Sequence, residues 1–467
     1  MHYISTRGEA PRLGFAEVLL AGLARDGGLY LPETWPQVTP DQIAGFAGVA
    51  FADVAVRVIE PYTGGAIHKD DLARMARESY ATFGHPAVTP LVQIGPDRWV
   101  LELFHGPTLA FKDVAMQLLA RMMDHVLAER GTRAMIVGAT SGDTGGAAIE
   151  AFRGADHVDI VILFPKDRVS DVQRRMMTTP TETNVHAVAV DGTFDDCQAL
   201  VKAMFNDHAF RDRVRLSGVN SINWARIVAQ VTYYFVAASA LGAPGRKANF
   251  IVPTGNFGDI FAAYVAGRMG LPIGQLVIAS NDNNILPRAH ESGVYETREV
   301  VATRSPSMDI QISSNFERYL FEASGRDAAL IRGMMAALKQ SRRFELGHVH
   351  AAMTKDFLAW TAHEADVART IQQVQRESGY LLDPHTATAA AHRLATPGPA
   401  VVLATAHPAK FPDAMEAITG RRPPLPERLA GLMRAPERFD VVANDLAKVE
   451  AYVEERSRGS GQARGRA

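Results

Sequence analysis

Apolar positions along the chain fall into two regimes. Up to about residue 90 they recur with helical spacing, as over Asp41 to Ala47 and Lys69 to Tyr80, and prolines at 32, 36, 40, 61 and 86 punctuate the stretch. This predicts a small, mostly helical amino-terminal domain over residues 1–90. From Trp99 onward, short apolar runs take over, at Trp99 to Phe104, Met135 to Val137, Val158 to Phe164, Val185 to Val190, Phe250 to Pro253, Gln275 to Ser280 and Ala400 to Thr405. Helical stretches such as Phe194 to Asn206, Ala225 to Leu241 and Asp259 to Met269 fill the intervals. Strand and helix alternating in this way predict an α/β fold, a parallel sheet with helices on both faces, over residues 91–425. A helical region from about residue 284 to 394 precedes the last apolar run and reads as an excursion from the sheet. Residues 426–467 read as a carboxy-terminal helix followed by a polar, glycine-rich, basic tail from Arg456, of disordered composition.

Composition changes little in this picture. The 467 residues exceed one ordinary domain, and 47% hydrophobic with 21% charged residues are globular values. A formal net charge of -2 offers no overall basic surface for nucleic acid, and no apolar run is long enough to span a bilayer. The single cysteine, Cys197, excludes an intramolecular disulfide and a cysteine-based zinc site, and a reducing, cytoplasmic compartment fits.

In an open parallel sheet, ligands bind beyond the carboxyl ends of the strands. Five motifs fall at such places. Lys112 stands between a strand and a long helical pattern, in Leu101-Glu-Leu-Phe-His-Gly-Pro-Thr-Leu-Ala-Phe-Lys112-Asp, with Asp113 as a candidate cap. Held beside Phe111 and Leu109 out of water, its amine becomes a nucleophile for an aldehyde. A lone lysine here is more often simply solvated. The turn Thr254-Gly-Asn-Phe-Gly-Asp259 leads from a strand into a helix and suits a phosphate, although an ordinary strand-to-helix turn has the same pattern. It is neither a P-loop nor a dinucleotide turn. The turn Gly138-Ala-Thr-Ser-Gly-Asp-Thr-Gly-Gly146 offers an anion nest, or a helix capped by Ser141 or Asp143. Asn220-Ser-Ile-Asn-Trp-Ala-Arg226 places Ser221, Asn223 and Arg226 at a helix start, as anion ligands or as a cap with a surface arginine. After the last strand, Thr405 and Lys410 add a hydroxyl and a charge. His385 and His105 have no partner at zinc spacing and no nucleophile elbow before them, so histidine chemistry scores poorly.

Together these motifs identify a resemblance. Tyr3-Ile-Ser-Thr-Arg-Gly, Gly22 to Pro32, His105 to Asp113, Ala139 to Gly145, Asn220 to Arg226, Thr254 to Asp259, Ser307-Met-Asp-Ile, Ser314 to Arg318 and Thr405 to Phe411 follow one another as in the threonine synthase family, long bacterial and fungal type. The resemblance implies a fold-type II pyridoxal-phosphate enzyme, tryptophan synthase β-like in its core. It implies that Lys112 holds pyridoxal 5'-phosphate covalently and that Gly255, Asn256, Phe257, Gly258 and Asp259 bind its phosphate. It also implies that Thr405 faces the pyridine nitrogen and that Asp143 approaches the phenolic oxygen. Thr140, Ser141, Gly142, Asp143 and Thr144 resemble the loop for the substrate carboxylate, and Ser221, Asn223, Arg226 and Lys410 resemble ligands of a substrate phosphate. Shorter relatives often carry asparagine where Asp143 stands, which leaves its contact less secure.

The implied activity is conversion of O-phospho-L-homoserine and water to L-threonine and phosphate by γ-elimination and β-replacement. The small-molecule substrate is then the only partner expected, and the long type is compatible with a monomer. Two rivals remain open at this point. One is another lyase of the same fold, a serine or threonine dehydratase or an O-phosphothreonine phospholyase, which Arg226 discriminates. The other is a non-catalytic binding module.

Overall fold

The computed structural model describes residues 1–458. Two sheets carry the α/β core. The larger has six strands in the order Leu358–Thr361, Ile273–Ser280, Ala248–Pro253, Ala400–Ala404, Arg98–Glu102 and Leu91–Gly95. Every neighbouring pair is parallel except the final hairpin of the last two. The smaller is wholly parallel, in the order Asp440–Ala443, Val185–Asp191, Val158–Pro165, Ala134–Ala139 and Leu216–Ser217. Val158–Pro165 and Ala248–Pro253 are buried at every position, as expected of parallel strands covered on both faces.

The long helices behave as their composition dictates. Trp224–Ala240 is apolar nearly all round and is buried between the sheet layer and the amino-terminal domain. Lys112–Glu129 is likewise buried along most of its length. Phe194–Asn206 and Lys69–Tyr80 occupy the spans their periodicity predicts, each opened by a side-chain cap, Thr193 and His68.

Three features depart from the pattern in the sequence. The amino-terminal region holds four helices, Phe15–Ala21, Pro40–Ala44, Phe51–Thr63 and Lys69–Tyr80, but also pairs Tyr3–Ser5 with Tyr30–Pro32 as an antiparallel ribbon. Strands of three residues are too short to print an alternation. The region between 284 and 394 is not wholly an excursion, because Leu358–Thr361 returns to pair with Ile273–Ser280 at the edge of the larger sheet. The carboxy-terminal region also adds the edge strand Asp440–Ala443 before its helix Leu446–Arg456, and Arg458 still packs its guanidinium on buried Asp159. Of the tail expected from Arg456, residues 459–467 lie outside the described residues. Among the described residues, no helix is long and apolar enough to cross a membrane.

The amino-terminal domain is bound into the core at one aromatic seam. Trp224 meets the rings of Tyr3, Trp35 and Tyr62 at centroid distances of 6.1, 6.0 and 5.7 Å. Beside it, Thr6 donates to Glu317 at 2.6 Å, Arg7 pairs with the same carboxylate at 3.0 Å, and buried Arg318 donates to the carbonyl of Tyr30 at 3.0 Å.

Candidate active site

A cavity of about 430 Å³ opens at the carboxyl ends of both sets of strands. Lys112 reaches it because the strand Arg98–Glu102 ends in a turn that delivers residues 103–111 against the last strand. Leu103 N–H donates to Ala404 O at 3.0 Å, and Phe111 N–H donates to Thr405 O at 2.9 Å. The helix starts at Lys112 itself. Asp113 is not its cap: its carboxylate turns back to accept from Thr108 N–H at 2.7 Å and Thr108 Oγ1 at 2.6 Å, locking the Gly106-Pro-Thr turn. Lys112 is buried with its Nζ 5.1 Å from the Phe111 ring centroid. Burial draws its pKa below the ordinary lysine value; Asp143 opposes this, while Lys410 and Arg226 reinforce it.

The strand Ala248–Pro253 ends in the glycine loop, which enters the eleven-residue helix Gly258–Arg268 through Phe257 in the left-handed region at φ +64°. The first-turn amides of such a helix have no intrahelical acceptor and point toward the cavity end. A Cβ at Gly255 would meet Ser307 O at 3.2 Å and Met308 Cα at 3.3 Å, so a side chain there would require these backbones to part by a few tenths of an ångström. The segment 307–315 lies across the loop, with Ser313 Oγ donating to Gly255 O at 2.6 Å and Asn315 N–H to Asn256 O at 3.0 Å. Asp259 accepts from both Tyr233 and Tyr234 hydroxyls, at 2.5 and 2.7 Å, and burial pushes its pKa up to about 6 against those two bonds.

On the smaller sheet, Ala134–Ala139 leads to the helix Asp143–Phe152. Neither Ser141 nor Asp143 caps it. Thr140 Oγ1 does that work, accepting from Gly142 and Gly145 N–H groups at 2.9 Å each. Asp143 is left free to bind side chains: Lys112 Nζ at 3.4 Å, Lys410 Nζ at 2.5 Å, Gln173 Nε2 at 2.9 Å and Ser307 Oγ at 2.9 Å. Burial alone raises a carboxyl pKa, but here the two lysines outweigh it and hold Asp143 well below the usual carboxylate range.

Arg226 completes the cavity from the helix Trp224–Ala240. It is 2% exposed, its Nη1 donates to Val219 O at 3.2 Å, and its Nε is buried with no partner among the described residues. Burial pulls its pKa down to about 10. A guanidinium held out of water without a carboxylate is a preformed anion site.

The comparisons agree on what this arrangement is. Family models match residues 2–80 as the threonine synthase N terminus, 83–405 as a pyridoxal-phosphate dependent enzyme and 386–453 as the threonine synthase C-terminal region. The threonine synthase of Pseudomonas aeruginosa is 51% identical over 97% of this chain and 98% of its own. The chain belongs to the threonine synthase family. Among solved structures, the pyridoxal-phosphate-bound threonine synthase of Brucella melitensis is 61% identical, with a TM-score of 0.96 over 98% of this chain and 100% of that one. The yeast threonine synthase is 38% identical, with a TM-score of 0.91 over 97% and 98%. The chain is therefore a fold-type II, pyridoxal-phosphate-dependent enzyme.

Its own residues fit that cofactor: one buried lysine with a depressed pKa, a glycine loop at a helix start, and Thr405, whose residue lines the same wall. Of the residues singled out in the sequence, Lys112, Asp143, Thr144, Ser221, Arg226, Gly255, Asn256, Phe257, Gly258, Asp259 and Thr405 line the cavity. Thr140, Ser141, Gly142, Asn223 and Lys410 do not. Asn223 is consumed as a helix cap, accepting from Ala225 N–H at 3.0 Å while its amide donates to Leu19 O at 2.9 Å. Lys410 is buried with its Nζ on the Asp143 carboxylate. Sequence reasoning also passed over His385, which lines the cavity. Ser307 N–H donates to its Nε2 at 3.2 Å, so the ring proton sits on Nδ1, 3.0 Å from Asp383. The Asp383-Pro-His385 helix start was the available signal, but the partner is 78 residues away.

Proposed function

We propose that this cavity converts O-phospho-L-homoserine and water to L-threonine and inorganic phosphate. The observation that carries the reading is a second anion site: the buried, unpaired guanidinium of Arg226 shares the cavity with the glycine loop. A cofactor phosphate takes one such site and leaves the other for a phosphate on the substrate.

In this reading Gly255 to Asp259 hold the cofactor phosphate through backbone amides, and Lys112 anchors its aldehyde end. The bound cofactor supplies an electron sink that makes protons on the substrate's Cα and Cβ removable. Lys112, when its amine is free, would be the base at Cα, a role that burial favours by drawing its pKa below the ordinary lysine value. Arg226 and Ser221 orient the Cγ phosphate for departure and stabilise the charge that develops as the Cγ–O bond breaks. The oxygen of water ends on Cβ and the released phosphate carries away the Cγ oxygen, so atoms balance. Thr405 offers a hydroxyl rather than a carboxylate to the pyridine nitrogen, which moderates the sink and restrains competing eliminations. Thr144 and the amides of its turn receive the substrate carboxylate.

A dehydratase of the same fold needs one anion site only. The test is to incubate the purified chain, loaded with pyridoxal phosphate, with O-phosphohomoserine and to quantify phosphate and threonine together. Equal amounts of the two support the reading. Phosphate accompanied by 2-oxobutyrate would assign one of the rival lyases of this fold instead.

A further inference from the structure

Two lysines share one buried carboxylate. Lys410 Nζ lies 2.5 Å from Asp143 Oδ1, and Lys112 Nζ lies 3.4 Å from Oδ2. Both remaining acceptor positions are filled by neutral donors, Gln173 Nε2 at 2.9 Å and Ser307 Oγ at 2.9 Å. Lys410, 1% exposed, arrives on the short turn Pro408–Lys410 after the last strand, and Asp143 opens the helix Asp143–Phe152, whose positive end favours its charge. A single carboxylate cannot fully compensate two ammonium groups, and the nearer one takes the pair.

We propose that Lys410 is the permanent counter-ion of Asp143 and thereby a positioning residue for Lys112, holding the carboxylate so that Lys112 is free to give up its proton and leave. The proposal rests on Lys112 being the cofactor lysine and is independent of which substrate follows. Were Asp143 to face Lys112 alone, the pair would tie Lys112 up as an ammonium. It would also strand a buried carboxylate each time Lys112 became bonded to the cofactor, an unfavourable state for a charge out of water. With Lys410 in place, Asp143 keeps a cation in both conditions.

The charges around each group agree. Asp143, Lys410 and Arg226 act on Lys112; Lys112, Lys410 and His385 act on Asp143. Lys112 therefore sees one satisfied pair and one uncompensated arginine. Capture of the cofactor requires the Lys112 ammonium to lose its proton to solvent. The nitrogen lone pair then attacks the aldehyde carbon, a C=N bond forms, and the aldehyde oxygen departs as water.

The experiment follows capture itself, not turnover. Full-length chain stripped of cofactor is mixed with pyridoxal phosphate, and the initial rise in visible absorbance, corrected with Lys112→Ala, is recorded against pH. Lys410→Met is expected to move the midpoint of this profile up by about one to two pH units, because Asp143 then holds the Lys112 proton unopposed. Lys410→Arg is expected to leave it within about 0.3 unit, and Asp143→Asn to move it down. An unmoved midpoint in Lys410→Met overturns the proposal. If Lys410→Met does not fold, the other two decide: a midpoint in Asp143→Asn at or above that of the unsubstituted chain, or a displaced one in Lys410→Arg, overturns it. Absorbance that persists unchanged in Lys112→Ala would instead overturn the reading of Lys112, and the proposal with it.

Discussion

Arg226→Met is the perturbation whose two consequences should run in opposite directions. In the unliganded chain the guanidinium is buried, makes one hydrogen bond to Val219 O, and leaves Nε without a partner. Burial draws its pKa down to about 10, which corresponds to about 3 kcal/mol of unfavourable charge burial. That cost is recovered only when an anion arrives. Two charge-assisted hydrogen bonds to a phosphate contribute about 1.5–3 kcal/mol each, so removing them should cost about 3–6 kcal/mol in kcat/KM, a fall of about two to four orders of magnitude. Methionine fills much of the vacated volume, so the free protein should gain about 1–3 kcal/mol of stability. Phosphate release over a range of O-phosphohomoserine concentrations separates kcat from KM, urea unfolding midpoints report stability, and titration with pyridoxal phosphate reports cofactor affinity. The reasoning fails if kcat/KM stays within about threefold of the unsubstituted chain, or if stability falls along with it.

Three further substitutions probe other parts of the site. Gly255→Ala pushes a methyl group to 3.2 Å from Ser307 O and 3.3 Å from Met308 Cα, both backbone atoms, and should weaken cofactor binding about tenfold or more in a fluorescence titration; unchanged affinity would mean the two backbones can part freely. Asp259 binds its proton more tightly folded, with a pKa of about 6 against an ordinary 3.8, so its contribution to stability is present below pH 3.8 and is lost as pH rises to about 6, by up to about 3 kcal/mol. Asp259→Asn should flatten that part of the urea-midpoint profile, and parallel profiles would contradict the assignment. Thr405→Val removes the hydroxyl offered to the cofactor ring and should lower kcat about tenfold while cofactor affinity changes less than threefold; an unaltered kcat would remove Thr405 from the ring's surroundings.

The alternation of apolar runs and helical stretches was enough to read the core, because Val158–Pro165 and Ala248–Pro253 are buried on both faces and show it as unbroken hydrophobicity. Glycine loops and the Lys112 turn were equally legible, since chain direction alone places them at strand carboxyl ends. What escaped was pairing across distance. Lys410 reads locally as a spare charge after a strand, yet its partner Asp143 lies on the other sheet. Asn223 reads as a ligand, yet its amide is claimed by the carbonyl of Leu19 in the amino-terminal domain. Asp113 gives up the cap expected of it, and Thr140 takes the one expected of Ser141 or Asp143, because a cap is decided by which side chain can turn back, and that depends on the preceding loop.

The short run Ser313 to Arg318 has two masters. At one end it supports the glycine loop, through Ser313 on Gly255 O and Asn315 on Asn256 O. At the other, Glu317 and Arg318 hold Thr6, Arg7 and the carbonyl of Tyr30. Whatever tightens one end must be felt, through thermodynamic reciprocity, at the other. If cofactor loading tightens this run, the amino-terminal domain becomes a partner in cofactor retention, and the loaded enzyme should then grip that domain more firmly than the empty one.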